Sequence, residues 1–161
     1  MIRLIVAIDS KRGIAKHGFQ PWYIPDDDAY FITQTKSRGG NVLVGGTTFR
    51  DSFKNKPLVE RTTYLLTRNE QPIDGVELVH DLNTWLEGRG NKDVWVVGGS
   101  SVYQQVIDTG KADELYITQI EANFGCDQFF PEYEEKFRLI SQSERRTQNG
   151  FHFTYNCYTK I

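Results

Sequence analysis

Apolar residues in this chain gather mostly in short runs. IRLIVAI at 2–8, NVLV at 41–44, TTYLLT at 62–67, VELV at 76–79 and VWVV at 94–97 each read as a strand covered on both faces, as in a parallel sheet under helices. ADELYITQI at 112–120 and the stretches 133–141 and 151–161 bring the strands to eight. In the last, Phe151, Phe153, Tyr155 and Cys157 alternate with His152, Thr154, Asn156 and Tyr158, which suits a sheet margin with one protected face.

Between the strands the period changes. Pro25 opens a helix with Asp26, Asp27 and Asp28 in its first turn, and Gly39-Gly40 stops it. A short helix follows Gly45-Gly46, another runs through DLNTWLEG behind Asp81 as its cap, and SSVYQQVID follows Gly98-Gly99 with serines expected to cap it. The pattern predicts one α/β domain over 1–161, in three layers: a mixed, mostly parallel eight-stranded sheet flanked by about four helices, with an antiparallel C-terminal pair.

The joints carry the candidate chemistry. Gly98-Gly99 and Gly45-Gly46 each sit where a strand turns into a helix. Glycine removes the Cβ that would hold a ligand off the backbone, and a helix start offers unpaired N–H groups to an anion. Alone, either pair also reads as turn punctuation. Side by side at one end of a sheet, the two would form a crevice for an extended phosphorylated ligand. Neither shows GxxxxGK[ST] or GxGxxG spacing, which disfavours a P-loop and a standard dinucleotide fold. Arg68 directly follows a strand and is a candidate anion partner, while Lys54, Lys56 and Arg61 form either a basic rim or a solvated loop. The segment from Asp9 to Pro21 reads as a long functional loop, because Ile14, Phe19 and the following Trp22 argue against disorder. Of the three acids, Asp27 shares a helical face with Phe31, where loss of water raises a carboxyl pKa.

Composition narrows the classes. At 161 residues, 39% hydrophobic and 25% charged, the chain is ordinary globular material, and a formal charge of -2 gives no general attraction to nucleic acid or an anionic bilayer. Two cysteines, Cys126 and Cys157, suit free thiols in a reducing compartment. No apolar stretch reaches the ~20 residues of a membrane span, and MIRLIVAID lacks a signal-peptide pattern, so the cytoplasm is the expected location; a monomer is also expected. His17, His80 and His152 lack ligand spacing, and no metal is expected.

In order and spacing, these pieces resemble a bacterial-type dihydrofolate reductase over nearly the whole chain. The resemblance rests on LIVAI, Pro21-Trp22, Pro25-x-Asp27, Phe31, VGG-TTF, PL-x-x-R from Pro57 to Arg61, VGG-x-x-VY-x-Q from Val97 to Gln105, and Tyr116-x-Thr118. It implies a dihydrofolate-reductase-like fold and reduction of dihydrofolate by NADPH, with hydride passing from nicotinamide C4 to C6 and a proton, supplied by water, reaching N5. Asp27 would hold the pteridine, Thr118 would bond the same carboxylate, and Trp22 would position a water. Ile5, Val6, Asp28, Phe31, Phe53, Leu58, Val97 and Tyr103 would line the folate pocket, and Arg61 would grip the glutamate tail. NADPH would lie against Ala7, Ile14 and Tyr103. Its phosphates would sit among Gly46, Thr47, Thr48, Gly98, Gly99, Ser100, Ser101, Val102 and Gln105, with a cis bond joining Gly98 to Gly99. The loop from Asp9 to Phe19 would be the lid.

The chain departs from the family pattern at Ala15 (commonly glycine), Asp28 (commonly apolar), Tyr30 (often Trp), Gly46 (commonly basic) and Ser101 (often Arg). With no cation at Gly46, Arg68 is expected to supply the preference for NADPH over NADH, with Thr67 adding a neutral bond. Two alternatives stay open: an NADPH-dependent reductase of another pterin or a pyrimidine, which would not need Arg61, and a non-catalytic nucleotide-binding module, which would leave Asp27 without a use.

Overall fold

The computed structural model describes residues 1–161. In chain order the elements are β1 (Ile2–Ile8), β2 (Gly13–Ala15), α1 (Pro25–Lys36), β3 (Asn41–Gly45), α2 (Gly46–Asp51), β4 (Thr62–Leu66), β5 (Val76–Val79), α3 (Leu82–Gly88), β6 (Val94–Val96), α4 (Ser100–Asp108), β7 (Glu114–Ile120), β8 (Gln128–Phe129), β9 (Phe137–Gln142), β10 (Arg146–Gln148) and β11 (Phe151–Lys160).

The sheet runs β10-β11-β7-β1-β6-β3-β4-β5, with β9 also on β11. From β7 to β5 every pairing is parallel, and β11 joins antiparallel. The period of two explains the layers. Ile2, Leu4 and Ile8 of β1 enter one core with Leu82 and Leu86 of α3 and Val102 and Val106 of α4. On the opposite face Ile5 packs with Val42, Val44, Trp95 and Phe49, and Tyr30 and Phe31 of α1 lean on that cluster. Because β6 returns between β1 and β3, the chain leaves neighbouring strands in opposite directions, and a crevice opens beyond their carboxyl ends. Both glycine pairs and Arg68 follow strands at that end.

The structure changes several details of the sequence reading. The strand expected over 133–141 begins only at Phe137, and the polar stretch before it is a turn over buried Tyr133. The stretch before Asn149-Gly150 forms β10, completing a hairpin with β11. Part of the loop from Asp9 to Pro21 is β2, paired with β8. Ser100 and Ser101 do not cap α4. Gly99 holds the cap position and no side chain bonds the first amides, just as Gly45 precedes α2 without a side-chain cap. Asp81 does cap α3, accepting from the amides of Asn83 and Thr84.

Candidate active site

The crevice is a cleft of about 1490 Å³. Single small-molecule pockets run to about 1,000 Å³, so the space suits two ligands end to end. Asp27 projects from the first turn of α1, where Pro25 fixes the entry and the Asp27 amide donates to the Ile24 carbonyl at 2.9 Å. Its Oδ1 accepts a hydrogen bond of 2.6 Å from Thr118 Oγ1 on β7. Burial pushes the Asp27 carboxyl up to about 6; the Thr118 hydroxyl works against that rise and the negative charge of Asp28 adds to it. Asp28 is exposed but also lines the cleft, its carboxyl raised by partial burial, whereas Asp26 is exposed away from the cleft, its amide donating to Gln148 at 2.7 Å. Of the three acids, Asp27 alone is half-buried with its carboxylate hydrogen-bonded in the cleft.

Ile5, Val6, Phe31, Phe53 and Val97 line the same end. Three expected residues do not. Trp22 is buried against Phe124, with ring centroids 5.3 Å apart, and packs with Ile24 and Phe153. Leu58 is half-buried and packs against the same core cluster as Phe31 and Phe53. Arg61 donates to Thr35 Oγ1 at 2.9 Å and to the Val59 carbonyl at 3.0 Å, which ties its guanidinium to the flank of α1 instead of the cleft wall.

At the other end, Ala7, Ile14, Gly46, Thr47, Thr48, Thr67, Arg68, Gly98, Gly99, Ser100, Ser101, Val102, Tyr103 and Gln105 all line the cleft. The Gly98–Gly99 bond is cis. The two turns press on each other: the Gly45 amide donates to the Gly98 carbonyl at 2.8 Å, and a Cβ on Gly99 would stand 2.9 Å from Thr48 Oγ1. A Cβ on Gly46 would meet nothing within 4 Å, so packing does not explain the missing cation there. Tyr103 is buried and donates to the Ile5 carbonyl at 2.7 Å, joining α4 to β1 where the two ends meet.

The family sequence model described as "Dihydrofolate reductase" matches residues 1–160. The chain belongs to the dihydrofolate reductase family. It is similar to the dihydrofolate reductase of Rattus norvegicus (34% identity, covering 99% of this chain and 97% of that one) and of Bacillus subtilis (31%, 99% and 95%). It is also similar to a solved dihydrofolate reductase from Enterococcus faecalis complexed with NADP(H) and RAB-propyl (TM-score 0.85, 28% identity, 99% and 96% coverage). Relatives at comparable identity come from insects, mammals, a herpesvirus and bacteria, so membership in the family is established without singling out a bacterial type.

Within this dihydrofolate reductase fold, the Asp9–Phe19 loop contributes Ile14, Ala15 and Gly18 to the cleft wall. Asp9 anchors the base of this loop. Burial opposes its charge, but the amides of Phe124, Gly13 and Lys11 donate to it and hold the carboxyl below the usual range. Further along, the His17 amide donates to Asp127 Oδ2 at 3.0 Å, and Lys54 Nζ lies 5.8 Å from the Phe19 ring centroid. Sequence reasoning missed several wall residues, among them Gln128, which accepts from Ser100 Oγ at 2.8 Å, and His80. The signal for His80 was present: it follows VELV as Arg68 follows the neighbouring strand.

Proposed function

We propose that this chain reduces 7,8-dihydrofolate to 5,6,7,8-tetrahydrofolate with NADPH. The observation that carries this is one half-buried carboxylate, Asp27, bonded to Thr118 in a cleft whose other end is built from two uncapped glycine turns. Those turns fit a dinucleotide: their amides lack side-chain partners, a Cβ at Gly99 would fill the cradle, and Arg68 lines the cleft without an ion-pair partner. NADPH, when bound, supplies hydride from nicotinamide C4 to C6 of the pterin.

On this reading Asp27 holds the pteridine amidine edge through paired hydrogen bonds and stabilises positive charge as N5 takes its proton from water. Thr118 keeps that carboxylate in one orientation. Trp22 supports the wall from behind, and its proposed role in holding a water would act from the edge of its buried ring. Ile5, Val6, Phe31, Phe53 and Val97 give the apolar flanks, and Arg61, held by Thr35 and the Val59 carbonyl through Nη1 and Nε, keeps its Nη2 hydrogens for a glutamate tail. Ala7, Ile14 and Tyr103 hold the nicotinamide end, and closure of the Asp9–Phe19 loop would exclude water from the transfer.

Within the family we propose a compact bacterial-type enzyme: alignments with the insect relatives extend over 175–188 positions, against 165 for Bacillus subtilis. The protein works as a single-domain monomer in the cytoplasm, without nucleic acid, a proposal supported by its free cysteines and small negative charge. The NADPH absorbance assay with dihydrofolate tests the activity; absence of turnover with both ligands bound would leave only a nucleotide-binding module. Asp28 in the cleft favours one second reading, a pterin reductase indifferent to the glutamate tail. Equal kcat/KM on substrates with and without that tail would establish it.

A further inference from the structure

A second cavity, of about 160 Å³, lies at the other end of the parallel strands, and Asn41, Tyr64, Trp85, Arg89, Lys92 and Val94 line it. None of these residues lines the cleft. Asn41 opens β3 and Gly45 ends it, so roughly 13 Å of strand separates the cavity from the glycine turns. The end of α3 builds the wall. Leu82 and Leu86 sink into the core, and Trp85 is left half-buried, tilted against Tyr64 of β4 with ring centroids 4.9 Å apart. The last carbonyls of a helix need donors from outside it, and Arg89 Nη1 donates to the Leu86 carbonyl. That bond fixes the guanidinium and leaves its other edge unmatched: Nε has no acceptor, and Nη2 bonds nothing in the protein. Lys92 is exposed and pairs with no carboxylate. The neighbouring acids are engaged elsewhere, Glu87 by Lys111 at 3.5 Å and Asp93 by the N-terminal ammonium and Arg3. Two cations and no carboxylate therefore line this cavity, in a chain whose formal charge is -2.

We propose that the cavity is a second ligand site, which takes a small aromatic carboxylate. The volume sets the size, because a cavity of about 150 Å³ accommodates a single benzene ring. Tyr64, Trp85 and Val94 supply the apolar surface for that ring. The two oxygens of a carboxylate match the parallel Nε and Nη2 hydrogens of a guanidinium, which gives the unmatched edge of Arg89 the acceptors it lacks. Lys92 adds a second positive charge at the rim. A dinucleotide or a folate is too large for this space, so the site is separate from the cleft and does not depend on how the cleft is read.

The test titrates the isotope-labelled full-length protein with benzoate at constant ionic strength, following the Trp85 indole and Arg89 Nε–H resonances by NMR. Both should shift and saturate with a Kd of about 1 mM, whether or not NADPH is present. Benzamide keeps the ring without the charge, and inorganic phosphate keeps charge without the ring; each should bind at least about tenfold more weakly. Arg89→Gln should weaken benzoate about tenfold, read at Trp85. Lys92→Gln should weaken it about threefold, and because it alters only an exposed side chain it keeps the proposal testable should Arg89→Gln disturb the end of α3. Failure to saturate, equal affinity for benzamide or phosphate, or affinity unchanged in both variants overturns the proposal. Loss of the shifts on adding NADPH overturns it too, since benzoate would then be bound in the cleft.

Discussion

The two ends of the cleft are built on different principles. At the Asp27 end the chemistry hangs on side chains fixed by regular elements: a carboxylate on the first turn of α1, a threonine on β7 between parallel β1 and antiparallel β11, and aromatic rings behind them. At the glycine-turn end the surface is mostly backbone, and the charged groups stand at exposed strand ends. A group whose protonation matters needs one dry environment, and a single altered neighbour changes it. An extended ligand held by many amides tolerates exchange of its side-chain contacts. That contrast explains how the chain lacks a cation at Gly46 and still offers one at Arg68.

The largest break between the ends should come from Asp27→Asn. On the proposed reading it lowers kcat/KM at neutral pH by about a hundredfold or more and leaves the NADPH Kd within about twofold. Asp26→Asn, which changes an exposed carboxylate, should leave both near wild type; an equal loss there would remove the special role of Asp27. Stability moves the other way. Burial raises the folded carboxyl to about 6 from an ordinary 3.8. Between those values the folded state keeps a proton that the unfolded state has released, so stability falls as pH rises through that window. Asn carries no such cost, and the ligand-free variant should be more stable at pH 7 by up to about 3 kcal/mol, read from urea unfolding.

Arg68→Ala breaks the other end. It should weaken NADPH by about tenfold to a hundredfold, leave NADH nearly unchanged, and flatten the salt dependence of NADPH binding, with turnover at saturation preserved. Equal weakening of the two cofactors would move Arg68 from the 2′-phosphate to a part the cofactors share.

The same contrast governs what could be read from the sequence. Buried strands announce themselves by unbroken apolar runs, and both glycine turns were visible at the ends of two of them. Asp27 stood out from its neighbours by sharing a face with Phe31. Side-chain destinations were less legible. Trp22, Leu58 and Arg61 carry the family's motif letters, yet their positions depend on partners distant in sequence, Phe124, the Phe31–Phe53 cluster and Thr35. The caps failed for a related reason: serine and threonine beside a helix start suggest capping, but here glycine takes the cap position and leaves the amides open. His80 follows VELV as Arg68 follows the neighbouring strand, and only the pairing of β4 with β5 shows that the two strand ends meet.

Thr118→Val sharpens the first end without removing the carboxylate. The hydroxyl stabilises the charged form of Asp27, so its loss should carry the inflection of kcat/KM upward from about 6 by roughly half to one pH unit. Turnover at neutral pH should fall by about tenfold, and NADPH affinity should hold. An unmoved inflection would show that the rate does not report the Asp27 carboxyl.

Asp28 should give the smallest effect and the finest test, because its charge acts on the same carboxylate in the opposite sense. It lines the cleft beside Phe31 and helps to hold the Asp27 proton. Asp28→Asn keeps the shape and removes that charge, so the inflection should move to lower pH, against the direction of Thr118→Val, and KM for dihydrofolate should fall by about twofold to fivefold as repulsion of its anionic tail is lost. Asp28→Leu goes further by placing apolar surface where a charge now prefers water. An inhibitor with an apolar ring should then bind about threefold to tenfold more tightly, while NADPH binds as before. Inhibitor constants that stay put, together with a fixed inflection, would mean that Asp28 faces bulk solvent across the cleft mouth and that the charge felt by Asp27 is screened before it reaches the pterin.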